Sequence, residues 1–272
     1  MKEHKLNVIQ VELLNALKWL NDTCVKNGIS YSLHGGTLLG AVRENGFIAW
    51  DDDADVTFTR EEYEKFEQIV TQDVTGKEII FDTNRRYPKI YYKRDGMPAV
   101  WIDVFIYDAI SENIIAQKIK KERLYYYMML LRDPETFEII KRTRKQNPVS
   151  LFAMKAVNAW GRHISYKKKV QGAKRAAQSL GGSGKLIHRA NDQKSGINEI
   201  QPAHVMTKFK MATFEDTELM ISEYYDEILT KSYGKDYMTP RRKTFQATSD
   251  ASVDRERKAA ELLFEKKARM QP

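Results

Sequence analysis

Leu6, Ile9, Leu13, Leu17, Leu20 and Cys24 recur at spacings of three and four in an otherwise polar stretch. That period marks one face of an amphipathic helix, and Asn27-Gly28 is a suitable stop for it. Tyr31 to His34 is strand-like, Gly35-Gly36 breaks the pattern, and Thr37 to Arg43 predicts a short helix. Ala54 to Thr59 alternates with acidic positions and predicts a strand, and Arg60 to Thr71 returns to the helical period. Three more strand-like runs follow, Glu78 to Asp82, Lys89 to Arg94 and Val100 to Tyr107. Residues 1–110 therefore predict an α+β domain, a small mixed sheet with flanking helices.

Beyond it the pattern changes. Residues 111–200 predict a basic, mostly helical region with two apolar stretches, Leu124 to Leu131 and Val149 to Trp160, and a loop at Gly181-Gly182-Ser183-Gly184. Residues 201–272 predict helices that pack back on the first domain. In one of them, Met220 to Ser232, Ile221, Tyr224, Tyr225, Ile228 and Leu229 share an apolar side. The tail from Ser249 is charged and helix-prone.

Composition narrows the function. With 272 residues, 42% hydrophobic and 30% charged, the chain is a globular protein with ample core. The single cysteine, Cys24, excludes a disulfide framework and a cysteine-built zinc finger within this chain. Charges interrupt the first two dozen residues every few positions, so no signal peptide is expected. The longest strongly apolar run, Leu124 to Leu131, is far short of a membrane span. A cytoplasmic protein that meets a membrane only from its surface is the expectation. The formal net charge is +8, which suits an anionic partner. Residues 116–175 hold sixteen Lys or Arg against four Asp or Glu, a net of +12. That segment is either a solvated basic face or a surface that docks on anionic lipid. No aromatic RNP-type motif or zinc-knuckle spacing points to nucleic acid.

The stretch GFIAWDDDADVTFT concentrates the candidate chemistry, with Asp51, Asp52, Asp53 and Asp55 entering an apolar strand. Alternate side chains share a strand face, so Asp53 and Asp55 point the same way. Carboxylates side by side repel, and burial worsens the repulsion. A solvated acidic turn is one reading. A site for Mg²⁺ or Mn²⁺, with phosphate oxygens completing the shell, is the other. Gly35-Gly36 precedes Asp53 on a strand–turn–helix pattern that lets backbone N–H groups approach a phosphate. Asp103 lies inside the apolar run WIDVFIY, where a lone carboxylate needs compensation.

GTLLGAVRENGFIAWDDDADVTFTREEYEKF resembles the signature of the LicD family of phosphotransferases, whose eukaryotic relatives are fukutin and fukutin-related protein. WIDVFIYD is similar to the family's later acidic segment, and FEDTELMISEYYDEILTKSYGKDYMTP to its closing segment. One departure is Asp95-Gly96-Met97, where the family often has a Thr. The resemblance implies a nucleotidyltransferase-type fold. It places the catalytic metal ligands on Asp53, Asp55 and Asp103 and the phosphate turn on Gly35, Gly36 and Thr37. Asp51 and Asp52 match as supporting groups behind the ligands. Arg43 either reaches phosphate or braces the core. Lys89 and Lys93 either bind the nucleotide phosphates or line a solvated strand face. Trp50, Tyr91, Tyr92 and Trp101 are either core or a cage for a quaternary ammonium.

The activity implied is metal-dependent transfer of phosphocholine from CDP-choline to a sugar hydroxyl, with release of CMP. The acceptor would be a teichoic acid or other surface-glycan precursor, lipid-linked or polymeric. Glycerol-phosphate or ribitol-phosphate transfer from the CDP-alditol, or nucleotidyl transfer to a small molecule or protein, are the alternatives. No nucleic-acid partner is implied. An anionic membrane surface is, with the protein peripheral on the inner face of the plasma membrane.

Overall fold

A computed structural model describes residues 5–72, 78–132, 148–240 and 250–270. The chain divides into two compact units. The first comprises residues 1–83, 88–105 and 204–272, and the second residues 84–87 and 106–203.

The first unit opens with helix α1 (Val8–Lys26). Asn7 caps it, accepting from the Gln10 N–H while the Gln10 side chain accepts from the Asn7 N–H, a reciprocal capping box. The apolar face read from the sequence is the buried one, with Leu13, Leu17, Leu20 and Cys24 at 1% exposure or less. Strand β1 (Ser32–Leu33) pairs antiparallel with β2 (Ala54–Thr59), and helix α2 (Gly35–Glu44) lies between them in sequence. Helix α3 (Arg60–Gln72) follows β2 directly. Strand β3 (Ile79–Asp82) pairs antiparallel with β4 (Lys89–Tyr92), and β4 with the first half of β5 (Val100–Ile110). The strand order is β1-β2-β5-β4-β3, so the two strands that carry Asp55 and Asp103 are neighbours. Tyr31, Phe58, Phe66 and Phe81 form a continuous aromatic core, with successive centroids 5.9, 5.2 and 5.3 Å apart. Tyr31, Phe58 and Phe66 are fully buried, and each contributes about 1.5–3 kcal/mol by leaving water, while Phe81 is half-buried at the edge.

The C-terminal part corrects the expectation of a helix over Met220 to Ser232. Strand β8 (Phe209–Phe214) pairs antiparallel with β9 (Thr217–Ser222), and helix α8 covers only Tyr225–Tyr233. Glu215 adopts a left-handed φ of 54°, which turns the chain back so that Phe214 opposes Thr217. Leu219 and Ile221 then alternate into the core, a strand period hidden inside an apolar run. Helix α9 (Asp250–Met270) packs Ala260 and Phe264 against Tyr91 and Ala99.

The second unit takes the rest of β5, from Ile106. Helices α4 (Ile114–Leu130), α5 (Pro148–Gly161) and α6 (Tyr166–Gln178) follow, then β6 (Leu186–Arg189), the short helix α7 (Lys194–Asn198) and β7 (Ile200–Pro202). Strand β6 pairs antiparallel with both β5 and β7. Leu124 of α4 and Ala176 and Ala177 of α6 form its core with Ala190 and Ile197. Buried Arg189 is held by Asp192 at 2.7 Å and Glu199 at 3.0 Å, satisfying a charge that burial alone would penalise. Among the described residues, no helix is long and apolar enough to cross a membrane.

Candidate active site

The glycine pair does not form a turn ahead of α2. It is the first turn of α2, entered from extended His34. Gly35 has φ +55°. A Cβ added to it would stand 2.9 Å from an Asp55 carboxylate oxygen, and one on Gly36 would stand 2.4 Å from an Asp51 carboxylate oxygen. The glycines therefore let two carboxylates lie against a helix N-terminus. There, unpartnered N–H groups and the positive end of the helix dipole favour negative charge. Thr37 fixes the same geometry from within the helix, its hydroxyl accepting from the Asp55 N–H at 3.0 Å. The His34 N–H donates to the Asp55 carbonyl at 2.9 Å.

The acidic cluster is electrostatically loaded. Burial pushes Asp51 up to about 8, and neighbouring Asp53 and Asp52 add to the rise. These influences favour the protonated form of Asp51, which is hydrogen-bonded to Asp53. Asp53 retains exposed surface, yet enough protein surrounds its carboxyl for desolvation to raise its pKa too. The Asp51 hydrogen bond and Lys89 oppose that rise, whereas Asp103 and Asp52 reinforce it. Lys89 and Asp103 are register partners across β4 and β5 and form an ion pair at 2.5 Å. The Lys89 ammonium also stands over the Trp101 ring, 5.2 Å from its centroid. The structure thus brings Gly35, Gly36, Thr37, Asp51, Asp53 and Asp55 to one place, with Asp103 and Lys89 felt by Asp53.

Among the described residues, no three Asp, Glu, His or Cys side chains stand together as a ready-made metal cage. The Asp51–Asp53 hydrogen bond and the Lys89 ammonium ease the repulsion at Asp53 instead. The donor set still fits a hard divalent cation: the ligands on offer are carboxylate oxygens, and the upward shifts of Asp51 and Asp53 reflect a cluster short of positive charge.

Other sequence candidates lie elsewhere. Arg43 is half-buried with its side chain 7% exposed, pairs with Glu44 at 2.7 Å and donates to the Tyr237 carbonyl at 3.3 Å, so it braces the segment after α8. Lys93 pairs with Glu261 of α9, whose carboxylate also accepts from the Ala99 N–H. Asp52 is exposed and acts on its neighbours only through its charge. Tyr91 and Tyr92 are core residues, Trp101 lies beneath Lys89, and Trp50, beside Asp51, is 50% exposed.

Sequence reasoning missed the residues that hold the Asp51 loop. Buried Gln10 donates its amide to the Asp51 carbonyl at 2.9 Å and to the Ile48 carbonyl at 3.4 Å. Its signal was a polar residue on the apolar face of α1, one turn from Leu6 and from Leu13. Glu215 accepts from the Phe47 N–H at 2.8 Å, and its own N–H donates to the Asn45 carbonyl at 2.8 Å. Gly46 makes room for that carboxylate, since a Cβ there would stand 2.1 Å from it.

The first unit is thus an α+β domain with an acidic cluster over a glycine-opened helix. Residues 28–128 match the model of the LicD/FKTN/FKRP nucleotidyltransferase domain. The chain is 35% identical over 139 residues to the lipopolysaccharide cholinephosphotransferase LicD of Haemophilus influenzae, covering 45% of this chain and 52% of that one. Over 62 residues, 23% of this chain, it is 40% and 39% identical to uncharacterized proteins of Rickettsia typhi and Rickettsia prowazekii, covering 20% and 23% of them. The chain thus spans about half the length, or less, of the curated relatives it matches.

Proposed function

We propose that the protein is a LicD-type phosphotransferase. It would move phosphocholine from CDP-choline to a sugar hydroxyl of a lipopolysaccharide-type or teichoic-acid-type glycan precursor and release CMP. The observation that carries this reading is the placement of Asp51 and Asp55 against the opening glycines of α2, with Asp53 between them and the Lys89–Asp103 pair beside it. The similarity to the Haemophilus cholinephosphotransferase supplies the substituent and the kind of acceptor.

In the reaction, the acceptor oxygen forms a bond to the phosphorus that bears choline. The bond from that phosphorus to the bridging oxygen breaks, and CMP leaves with the electron pair. Asp53, Asp55 and Asp103 would hold Mg²⁺ or Mn²⁺, which supplies charge neutralisation for the pyrophosphate. The open first turn of α2 presents N–H groups to a phosphate. Lys89 adds a cation on the same side as Asp103. Asp55, clamped by Thr37 and His34, is oriented to accept the hydroxyl proton, a role Asp103 can also fill. Trp50 offers an exposed ring for a quaternary ammonium. A lipid-linked acceptor would be met at the inner face of the plasma membrane.

Incubation with Mg²⁺, a glycan acceptor and CDP-choline, CDP-glycerol or CDP-ribitol in turn tests this. Choline-phosphate mass added to the acceptor, with equimolar CMP, is the expected result. CMP release only from an alditol donor would replace choline with that alditol. Retention of the nucleotide on the acceptor would overturn the reading in favour of nucleotidyl transfer.

A further inference from the structure

Helix α5 turns its apolar side outward. Phe152, Ala153, Ala156, Ala159 and Trp160 fall at i, i+1, i+4, i+7 and i+8, a single stripe, and all are exposed among the described residues. Phe152 is 75% exposed and Trp160 65%. The opposite side faces inward and holds buried Asn158 and Gly161, with Met154 and Val157 partly buried beside them. Asn158 donates to the Met129 and Arg132 carbonyls at 3.0 and 2.7 Å, and Gly161 sits where a Cβ would stand 2.9 Å from Leu130. Two large aromatic rings on the outer side of a helix depart from the ordinary pattern on a globular protein. The other apolar stretch, Leu124 to Leu131, behaves ordinarily, with Leu124, Met128 and Leu130 buried.

The surroundings of the stripe indicate what covers it. Lys155 lies on α5, Arg162 just past its end and Lys167 and Lys168 in the first turn of α6, and all four are exposed. Residues 139–191 hold thirteen Lys or Arg and not one Asp or Glu. A second copy of the chain would bring two such basic faces together, which repel. A nucleic acid would satisfy the bases but leave the alanine-lined stripe in water. An anionic bilayer satisfies both, burying Phe152 and Trp160 at the headgroup boundary while the lysines meet lipid phosphates.

We propose that the outward stripe of α5, Phe152 to Trp160, with its collar of Lys155, Arg162, Lys167 and Lys168, is a docking surface for an anionic lipid bilayer. The proposal stands apart from the transfer chemistry. Lipid binding is read without donor or acceptor, so the failure of either leaves the other intact.

Co-sedimentation of the full chain with phosphatidylcholine vesicles, with or without about a third phosphatidylglycerol, tests it at roughly 50 mM and 500 mM salt. The wild type should pellet with the anionic vesicles at low salt and lose roughly tenfold or more in partition at high salt or without phosphatidylglycerol. Phe152→Ser with Trp160→Ser should lose partition roughly tenfold at low salt while keeping its helical circular dichroism. Lys167→Glu with Lys168→Glu should lose at least as much. A wild type that stays in the supernatant overturns the proposal. So does a stripe variant that binds as well as wild type, because charge alone would then account for binding. A wild-type dimer in solution that the stripe variant dissolves would instead make the stripe an interface between copies. Binding to single-stranded RNA that the stripe variant abolishes would make it a nucleic-acid surface.

Discussion

Asp53 sits between opposing influences: burial and the charges of Asp103 and Asp52 raise its pKa, and Asp51 and Lys89 lower it. A residue so placed costs the fold something in the absence of a counter-ion, and its removal should not be missed by the apo protein. Asp53→Asn is expected to leave the thermal midpoint equal to or above that of the wild type, while CMP release falls by roughly 100-fold or more. A variant that unfolds early, or that turns over normally with excess Mg²⁺, would contradict the assignment. Gly36 gives a second separation of stability from activity. Alanine at a helical position ordinarily gains about 1 kcal/mol over glycine. Here its Cβ would displace the Asp51 carboxylate, 2.4 Å away. Gly36→Ala should therefore be near-neutral in urea denaturation and lose roughly tenfold or more in CMP release. Gly35→Ala should be worse on both counts, because its φ of +55° costs a side chain about 1–2 kcal/mol.

Among the elements, the β8–β9 turn and α1 reach across the sequence to hold one loop. Glu215 lies 168 residues from Phe47, and Gln10 lies 41 from Asp51. Glu215→Ala should destabilise the protein by about 1–2 kcal/mol by leaving the Phe47 N–H without its acceptor. It should also lower transfer, since the loop it holds leads to Asp51. Glu215→Gln keeps an acceptor oxygen and should recover both, as denaturant titration and CMP release will show. These two residues mark the limit of what the sequence disclosed. Asp53, Asp55 and Asp103 stand out in the sequence because a carboxylate in, or at the start of, an apolar strand is conspicuous by type. Gln10 and Glu215 act through backbone groups distant in sequence, and no local pattern announces a carbonyl or N–H that needs a partner. The same contrast holds for elements. Helix α1 and strand β5 have long, regular periods. The short β9 was absorbed into the helical period of Tyr225 to Leu229, because Ile221 fits both periods and the left-handed turn at Glu215 carries no glycine to reveal it. Lys89 and Lys93 looked alike in sequence; only register separates one facing Asp103 from one facing Glu261.

For the whole molecule, stability against acid depends on a residue far from the carboxylates in sequence. His188 is fully buried in the second unit, with Nδ1 2.9 Å from the Ile197 carbonyl and, among the described residues, no partner at Nε2. Burial holds its pKa down at about 4, and Lys120 and Lys121 push the same way against the Ile197 carbonyl and Asp108. The ring therefore donates from Nδ1 and stays neutral in the folded protein at pH 7. The unfolded chain takes up the proton near pH 6.5, whereas the folded one resists until about pH 4. Stability from this group is thus complete above pH 6.5 and is lost as pH falls toward 4. The loss totals about 3 kcal/mol, with about 2 kcal/mol gone by pH 5. His188→Asn keeps a donor for Ile197 and removes the titration. It should be less stable than wild type at pH 7, because it shortens a buried side chain. Between pH 7 and pH 5 its stability should fall by about 2 kcal/mol less than that of the wild type. Urea denaturation followed by far-ultraviolet circular dichroism at pH 7, 6 and 5 measures both slopes, and parallel slopes would place the acid sensitivity in another group.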